Sequence, residues 1–291
     1  MTALQTRPRV LTGSDGPELR RLVHQDRITN CVLDSRIEYS PGLDARRLGG
    51  FIWGLDSGTE IDAAAAVHYL RAALFHGGNL IPVGDDRSAL ETLADQLSRS
   101  GRGCSSIVGP ASSVQAIWPV LSRRWGPARA VRASQPLLVI DRPADAEFDP
   151  TVRVVRPSEI ERFMPAAIAM FTEELEISPM GRDGGASYRA RVAEVIGTGR
   201  AFARFDDRGQ VEFKAEIGAL SCGTAQVQGV WVRPDLRGRG LGTAAMAAVL
   251  RLALDRAPTV SLYVNDFNVT ARNMYDRLGM VEIGTLSTVL F

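Results

Sequence analysis

The chain has almost no lysine. Lys214 is the only one among 34 lysines and arginines, and 33 acidic residues leave a formal charge of +1 over 291 residues. Arginine usage on this scale, with abundant alanine, glycine and valine, is a compositional bias that says little about function. A net charge near zero supplies no long-range field to draw the protein to nucleic acid or an anionic membrane, so neither is expected as a partner. Cysteine is scarce: Cys31, Cys104 and Cys222 form no C-x-x-C pair and have no histidine at ligand spacing. That argues against a disulfide framework and against a metal site. The three histidines, His24, His68 and His76, make no metal pair either and read as packing or solvated side chains. No apolar h-region appears between Met1 and Val10, and the most apolar run, Ala63 to Phe75, is interrupted by His68 and Arg71 and too short to span a bilayer. A cytoplasmic protein is the expectation.

What is present is an ordinary globular composition, 45% hydrophobic and 23% charged, at a length that suits two domains. The clearest seam is Asp141-Arg-Pro-Ala-Asp-Ala-Glu-Phe-Asp-Pro150, with two prolines, four acids and no apolar period, lying between the apolar runs Pro136–Ile140 and Val152–Val155. It reads as an exposed linker, giving domains 1–140 and 151–291. In the second, helical spacing runs from Ser158, a candidate N-cap, to Leu175, and again from Ser187 to Ile196. Ala201–Phe205, Gln210–Leu220 and Ala225–Val232 read as an antiparallel meander. A helix from Leu241 to Ala257, a strand at Ser261–Val264, a helix from Val269 capped by Asn268 and stopped by Gly279, and an extended Val281–Phe291 complete β-α-α-β-β-β-α-β-α-β. The first half gives a blurred copy of that order, with helix from Pro17 to Val32, strand at Asn79–Val83, helix at Ser88–Leu97 and strand at Arg129–Ile140.

The chemically informative segment is Val230-Trp-Val-Arg-Pro-Asp-Leu-Arg-Gly-Arg-Gly-Leu-Gly-Thr243. A strand ends, glycines follow, and a helix opens. Glycines let backbone N–H groups approach a ligand, and a helix N-terminus offers unpaired donors with a partial positive charge. Arg237 and Arg239 add full charges, so the loop is suited to phosphate. No Gly-Lys-Ser/Thr follows, which excludes a Walker loop. Gly240-x-Gly242-x-x-Ala245 formally fits a dinucleotide fingerprint, but Arg233–Arg239 intervene after the strand and the preceding strands meander instead of crossing over.

Arg237-Gly-Arg-Gly-Leu-Gly242, with Val-Arg-Pro before it, resembles the pyrophosphate loop of the GCN5-related N-acetyltransferases (GNAT). Asn268-Val-Thr-Ala-Arg-Asn-Met-Tyr-Asp-Arg-Leu-Gly-Met280 is similar to the family's second cofactor segment. The resemblance covers about 151–291. It implies an α/β (α+β) chain of two tandem GNAT-like domains, each a mixed, centrally splayed sheet flanked by helices. Where the first half would carry its loop it has Gly84-Asp-Asp-Arg-Ser-Ala89, whose carboxylates would repel pyrophosphate. The first domain therefore resembles a degenerate copy, as in tandem acetyltransferases of actinobacterial type.

The resemblance further implies acetyl-CoA as co-substrate, no metal, and acetyl transfer to a primary amine of a small molecule or peptide by direct attack. The backbone of Val230, Trp231 and Val232 would pair with the pantetheine arm. Arg237, Gly238, Arg239, Gly240, Leu241, Gly242 and Thr243 would hold the pyrophosphate, and Asn268 would lie near the thiol end. Tyr275 matches the general acid, since a phenol with pKa near 10 can protonate a departing thiolate. The strand that carries a glutamate base in many relatives offers only Gln226 and Gln228. Glu212 and Glu216, the Glu173–Glu174 pair, the Phe291 carboxylate and a water chain stand as alternatives. Glu173 and Glu174 could also face a cationic acceptor. The missing glutamate keeps a second reading open, a catalytically silent acyl-CoA-binding or sensor protein. Oligomeric state is not readable.

Overall fold

The computed structural model describes residues 7–57, 60–62, 65–67, 69–181 and 183–291, so His68 lies outside the described residues. Two compact units divide the chain, one formed by Met1–Leu137 with Ile283–Phe291 and one by Leu138–Glu282.

The first unit contains β1 (Arg9–Val10), α1 (Gly16–Val23), α2 (Cys31–Tyr39), α3 (Ala45–Leu48), β2 (Gly50–Asp56), β3 (Glu60–Asp62), β4 (Ala65–Val67), β5 (Leu70–Gly77), β6 (Asn79–Val83), α4 (Arg87–Ser98), β7 (Ser106–Pro110), α5 (Ala111–Trp125) and most of β8 (Ala130–Ile140). Its sheet runs β1-β2-β5-β6-β7, followed by the last strand of the chain, which pairs antiparallel with β7 from Leu286↔Pro110 to Leu290↔Ser106. β6 and β7 are parallel over Asn79↔Ser106 and Leu80↔Ile107 alone, then part. α4 and α5 cover one face and α1–α3 the other. The single helix expected over Pro17–Val32 is two. α1 ends at Val23 and a 3₁₀ turn, His24–Asp26, separates it from α2, because Asn30 turns inward and its amide donates to the Val23 carbonyl at 3.0 Å.

The second unit contains β9 (Arg153–Val154), α6 (Ile160–Leu175), α7 (Ala186–Gly197), β10 (Ala201–Phe205), β11 (Val211–Leu220), β12 (Thr224–Val232), α8 (Leu241–Leu254), β13 (Thr259–Tyr263) and α9 (Val269–Arg277); β14 (Val281–Leu290) then carries the chain back into the first unit. Its strands are ordered β13-β12-β11-β10-β9. β9 to β12 are antiparallel, whereas β12 and β13 are parallel and pair only from Thr224↔Thr259 to Gln226↔Ser261. Beyond Gln226 the two strands part, and among the described residues the β13-facing edge of β12 has no strand beside it.

Strand parity decides what each face carries. Phe213, Ala215 and Ile217 of β11 point to the core under α8 and α9, while Lys214 and Glu216 point to the α6–α7 side. The first of these cores is built on α8, whose Ala, Leu and Met are strong helix formers and are buried from Ala245 to Leu250. Phe163, Phe202 and Phe213 are fully buried, and each contributes about 1.5–3 kcal/mol. Two local expectations are corrected. Ser158 does not cap α6: a 3₁₀ turn, Pro157–Glu159, comes first, and the Glu159 carboxylate takes both the Arg156 N–H and the Arg153 guanidinium, which hold its pKa down at about 2 against the opposing effect of burial. Nor is the 141–150 segment wholly exposed, because Asp149 is buried against Arg204.

Candidate active site

Three residues separate β6 from α4, but eight separate β12 from α8. A ladder of charges fixes the start of that longer loop. Glu212 lies between Arg204 (2.6 Å) and Arg233 (3.6 Å), and Arg233 continues to Asp206 (3.0 Å) and Asp235 (2.9 Å). Glu212 is thereby committed to two guanidiniums and is not a free base. The loop then passes through Gly238 (φ +73°) and Gly240 (φ +81°), left-handed conformations that favour glycine. A Cβ at either would meet nothing within 4 Å, so the space over them is open. Gly242 serves differently: a Cβ there would come within 3.2 Å of Val232 and 3.5 Å of the Met274 sulfur, so its absence lets α8 start close to β12 and α9.

Backbone donors at this helix head are left over. Arg237 N–H donates to the Pro234 carbonyl and Thr243 N–H to that of Gly240. Between them, the N–H groups of Gly238, Arg239, Gly240, Leu241 and Gly242 have no partner among the described residues, and α8 has no side-chain N-cap. Five unpaired donors at a helix N-terminus, under open space, form a socket for an anion with several oxygens. Beside it, β12 at Val230–Val232 has no strand partner on its β13 side among the described residues, only the Arg237 Nε donating to the Val232 carbonyl at 2.9 Å. This edge can accept one more extended backbone-like ligand.

Asn268 caps α9, its Oδ1 accepting from the Ala271 N–H at 3.1 Å, and Gly279 (φ +80°) ends the helix. These two bounds aim Tyr275 inward. Its residue is 5% exposed, and the Oη has no hydrogen-bond partner among the described residues, yet it is not among the atoms sealed from solvent. Burial, and secondarily the Glu174 charge, push the phenol pKa up, which keeps the proton in place at neutral pH.

The acidic candidates have definite partners. Glu216 is 9% exposed, with Gln228 Nε2 at 2.8 Å from one oxygen and Lys214 Nζ at 3.5 Å from the other. Burial works to raise its pKa, but Lys214, Gln228 and Arg191 outweigh this and hold it below the ordinary carboxylate range. Both oxygens of an ionised carboxylate are therefore engaged, which makes it a poor proton acceptor. Lys214 itself is fully buried, 5.4 Å from the Phe163 ring centroid. The Glu173 carboxylate accepts from the Trp231 indole N–H (3.0 Å) and from the Arg237 guanidinium (2.6 Å). Glu174 lies near enough to raise the pKa of both Tyr188 and Tyr275. Phe291 belongs to the first unit, its ring edge-on to Trp118 and Trp125 with Arg102 4.5 Å over its face. The roles of Lys214, of Glu212 and of Glu173 as a partner to Trp231 and Arg237 were not found by sequence reasoning. For Lys214 the one available signal was that a chain otherwise using arginine keeps a lysine there.

Residues 160–280 match the model of the acetyltransferase (GNAT) family. The second unit is a GNAT domain. Residues 52–163 match a domain of unknown function, DUF4081. Solved structures agree on the fold of the whole chain. An acetyltransferase of the GNAT family from Colwellia psychrerythraea is 12% identical, with 98% of this chain and 99% of that one covered, at a TM-score of 0.55. A GCN5-related N-acetyltransferase from Sphaerobacter thermophilus is 16% identical over 100% and 97%, at 0.56. A tandem GNAT protein from the clavulanic acid biosynthesis pathway is 14% identical over 98% of each chain, at 0.50. None of the curated proteins matches. The chain thus has two tandem GNAT-like domains, each with a mixed sheet that splays at a parallel pair, β6–β7 in one and β12–β13 in the other. The GNAT domain's loop, strand edge and α9 fall within the matched span, and the family's chemistry is acyl transfer. No helix among the described residues is long and apolar enough to cross a membrane.

Proposed function

We propose that the second unit is an acetyl-CoA-dependent N-acetyltransferase acting on a primary amine of a small molecule or peptide. The observation that carries this is the set of five unpaired N–H groups at Gly238–Gly242, set beside the strandless edge of β12. The residues present fit the co-substrate: the donors and the Arg239 charge suit a pyrophosphate, and the β12 edge at Val230–Val232 suits the amide-bearing pantetheine arm. Acetyl-CoA, when bound, supplies an acetyl thioester and a thiolate leaving group. Tyr275 holds a proton at Oη for that thiolate, and its buried ring fixes where the proton is offered. The amine must shed its own proton to attack. With Glu212 tied to two arginines and both Glu216 oxygens engaged, we assign that proton to water instead of a single side-chain base. We further propose that the first domain binds no coenzyme A.

The test is thiol release with an amine panel. Tyr275→Phe keeps ring volume and removes the donor. Turnover should fall by about 10²–10⁴-fold with acetyl-CoA affinity retained. A loss smaller than tenfold would remove Tyr275 from the reaction. The engaged Glu216 favours one rival, an acyl-CoA-binding sensor, and saturable acetyl-CoA binding without thiol release for any amine would establish it.

A further inference from the structure

The Glu173–Arg237 pair joins parts of the second unit that are 64 residues apart in the chain. Glu173 lies in the last turn of α6, and Arg237 opens the phosphate loop. Arg237 Nε donates to the Val232 carbonyl at 2.9 Å while its Nη2 reaches Glu173 Oε2 at 2.6 Å. The other Glu173 oxygen takes the Trp231 indole N–H at 3.0 Å. The guanidinium is thus engaged by the strand and by α6, while the five unpaired N–H groups begin at the next residue. Both partners are about half exposed, 47% and 44%, and an ion pair so placed is weak and readily exchanged. A pyrophosphate offers the same guanidinium more charge and a bidentate geometry. Trp231 is 9% exposed, and its indole N–H gives Glu173 a second donor, on the other oxygen, that does not depend on Arg237.

We infer that Glu173 is a built-in competitor for Arg237: coenzyme A binding exchanges the guanidinium from the Glu173 carboxylate to the pyrophosphate, so that Glu173 sets the cofactor affinity without touching the cofactor. Glu173 is on this view a positioning residue, and the inference rests on the cofactor reading proposed above. It separates Glu173 from a mere clamp on α6, because a clamp predicts weaker or unchanged cofactor binding when it is removed, and a competitor predicts tighter binding.

The experiment is calorimetric titration of the full chain with coenzyme A. Glu173→Gln should bind about two- to fivefold tighter than the native chain, the range an exposed ion pair can withhold. Arg237→Gln should bind about tenfold weaker, and Glu173→Gln added to Arg237→Gln should change nothing further, since the competition has lost its object. Equal or weaker binding by Glu173→Gln, or the same gain on the Arg237→Gln background, overturns the exchange. If the native chain binds no coenzyme A, the cofactor reading itself fails and the exchange with it. Native binding with an unmoved Glu173→Gln sinks only the exchange.

Discussion

The heads of α4 and α8 occupy the same place in two copies of one fold, each following the strand at which the sheet splays. At α4 the chain turns within three residues, and Asp86 caps the helix: its Oδ1 accepts from the Ala89 N–H at 2.9 Å and its Oδ2 pairs with Arg71 at 2.6 Å. The helix N-terminus there already holds an anion that is part of the protein. At α8 the same position is Gly240, no side chain caps, and five N–H groups stay open. A helix head can satisfy its donors internally or keep them for a ligand, and a capping carboxylate favours the first. Internal satisfaction stabilises the helix. The open head forgoes that stabilisation and gains a binding site.

The sharpest way to break this contrast is to copy the α4 solution onto α8. Gly240→Asp places a carboxylate where Asp86 stands, at a φ that aspartate tolerates better than most residues. Coenzyme A affinity should fall at least 100-fold in calorimetry, while the thermal midpoint moves by a few degrees at most. Unchanged affinity would mean that the α8 head is not the anion site.

The reverse change is smaller. Asp86→Ala removes the α4 cap and should cost about 1 kcal/mol in urea unfolding. It should leave coenzyme A stoichiometry at one per chain. A second binding site in this variant would show that one carboxylate was all that kept the first domain silent.

A pH experiment refines the same point. The Ala89 N–H and Arg71 hold the Asp86 carboxyl below its ordinary range, against a smaller effect of burial. Its contribution to stability is therefore complete above the unfolded pKa of about 3.9 and is lost as pH falls through the lower folded value. Native protein should lose more stability between pH 5 and pH 3 than Asp86→Asn does. Equal losses in the two proteins would take the α4 cap out of the acid response.

Much of the second unit was legible in its residues. Asn268 and Gly279 mark the two ends of α9, and the strands read at Ala201–Phe205, Gln210–Leu220 and Ala225–Val232 match β10, β11 and β12 to within a residue at their limits. The phosphate loop could be read because its chemistry is a run of adjacent backbone groups. The structure narrowed it: of Arg237–Thr243, the two end residues use their N–H groups internally, and the middle five do not. Pro17–Val32 misled because periodicity continues across the His24–Asp26 turn, and what splits the helix is a buried amide seven residues from its acceptor.

What the sequence determined by itself is what neighbouring residues impose on one another: glycines that permit a left-handed turn, an asparagine that caps, strand parity, and a helix head without a cap. Tertiary structure alone decided the rest, because those partners are set by packing across long loops. Glu173 meets Arg237 across 64 residues and Trp231 across 58. Lys214 and Glu216, two residues apart on one strand, become an ion pair because α6 and α7 shut them off from water. The last strand completes the first unit and not the second, its Leu286 and Val289 buried there beside β7. An apolar strand announces that it will be buried, but only the assembled sheet has the edge that receives it.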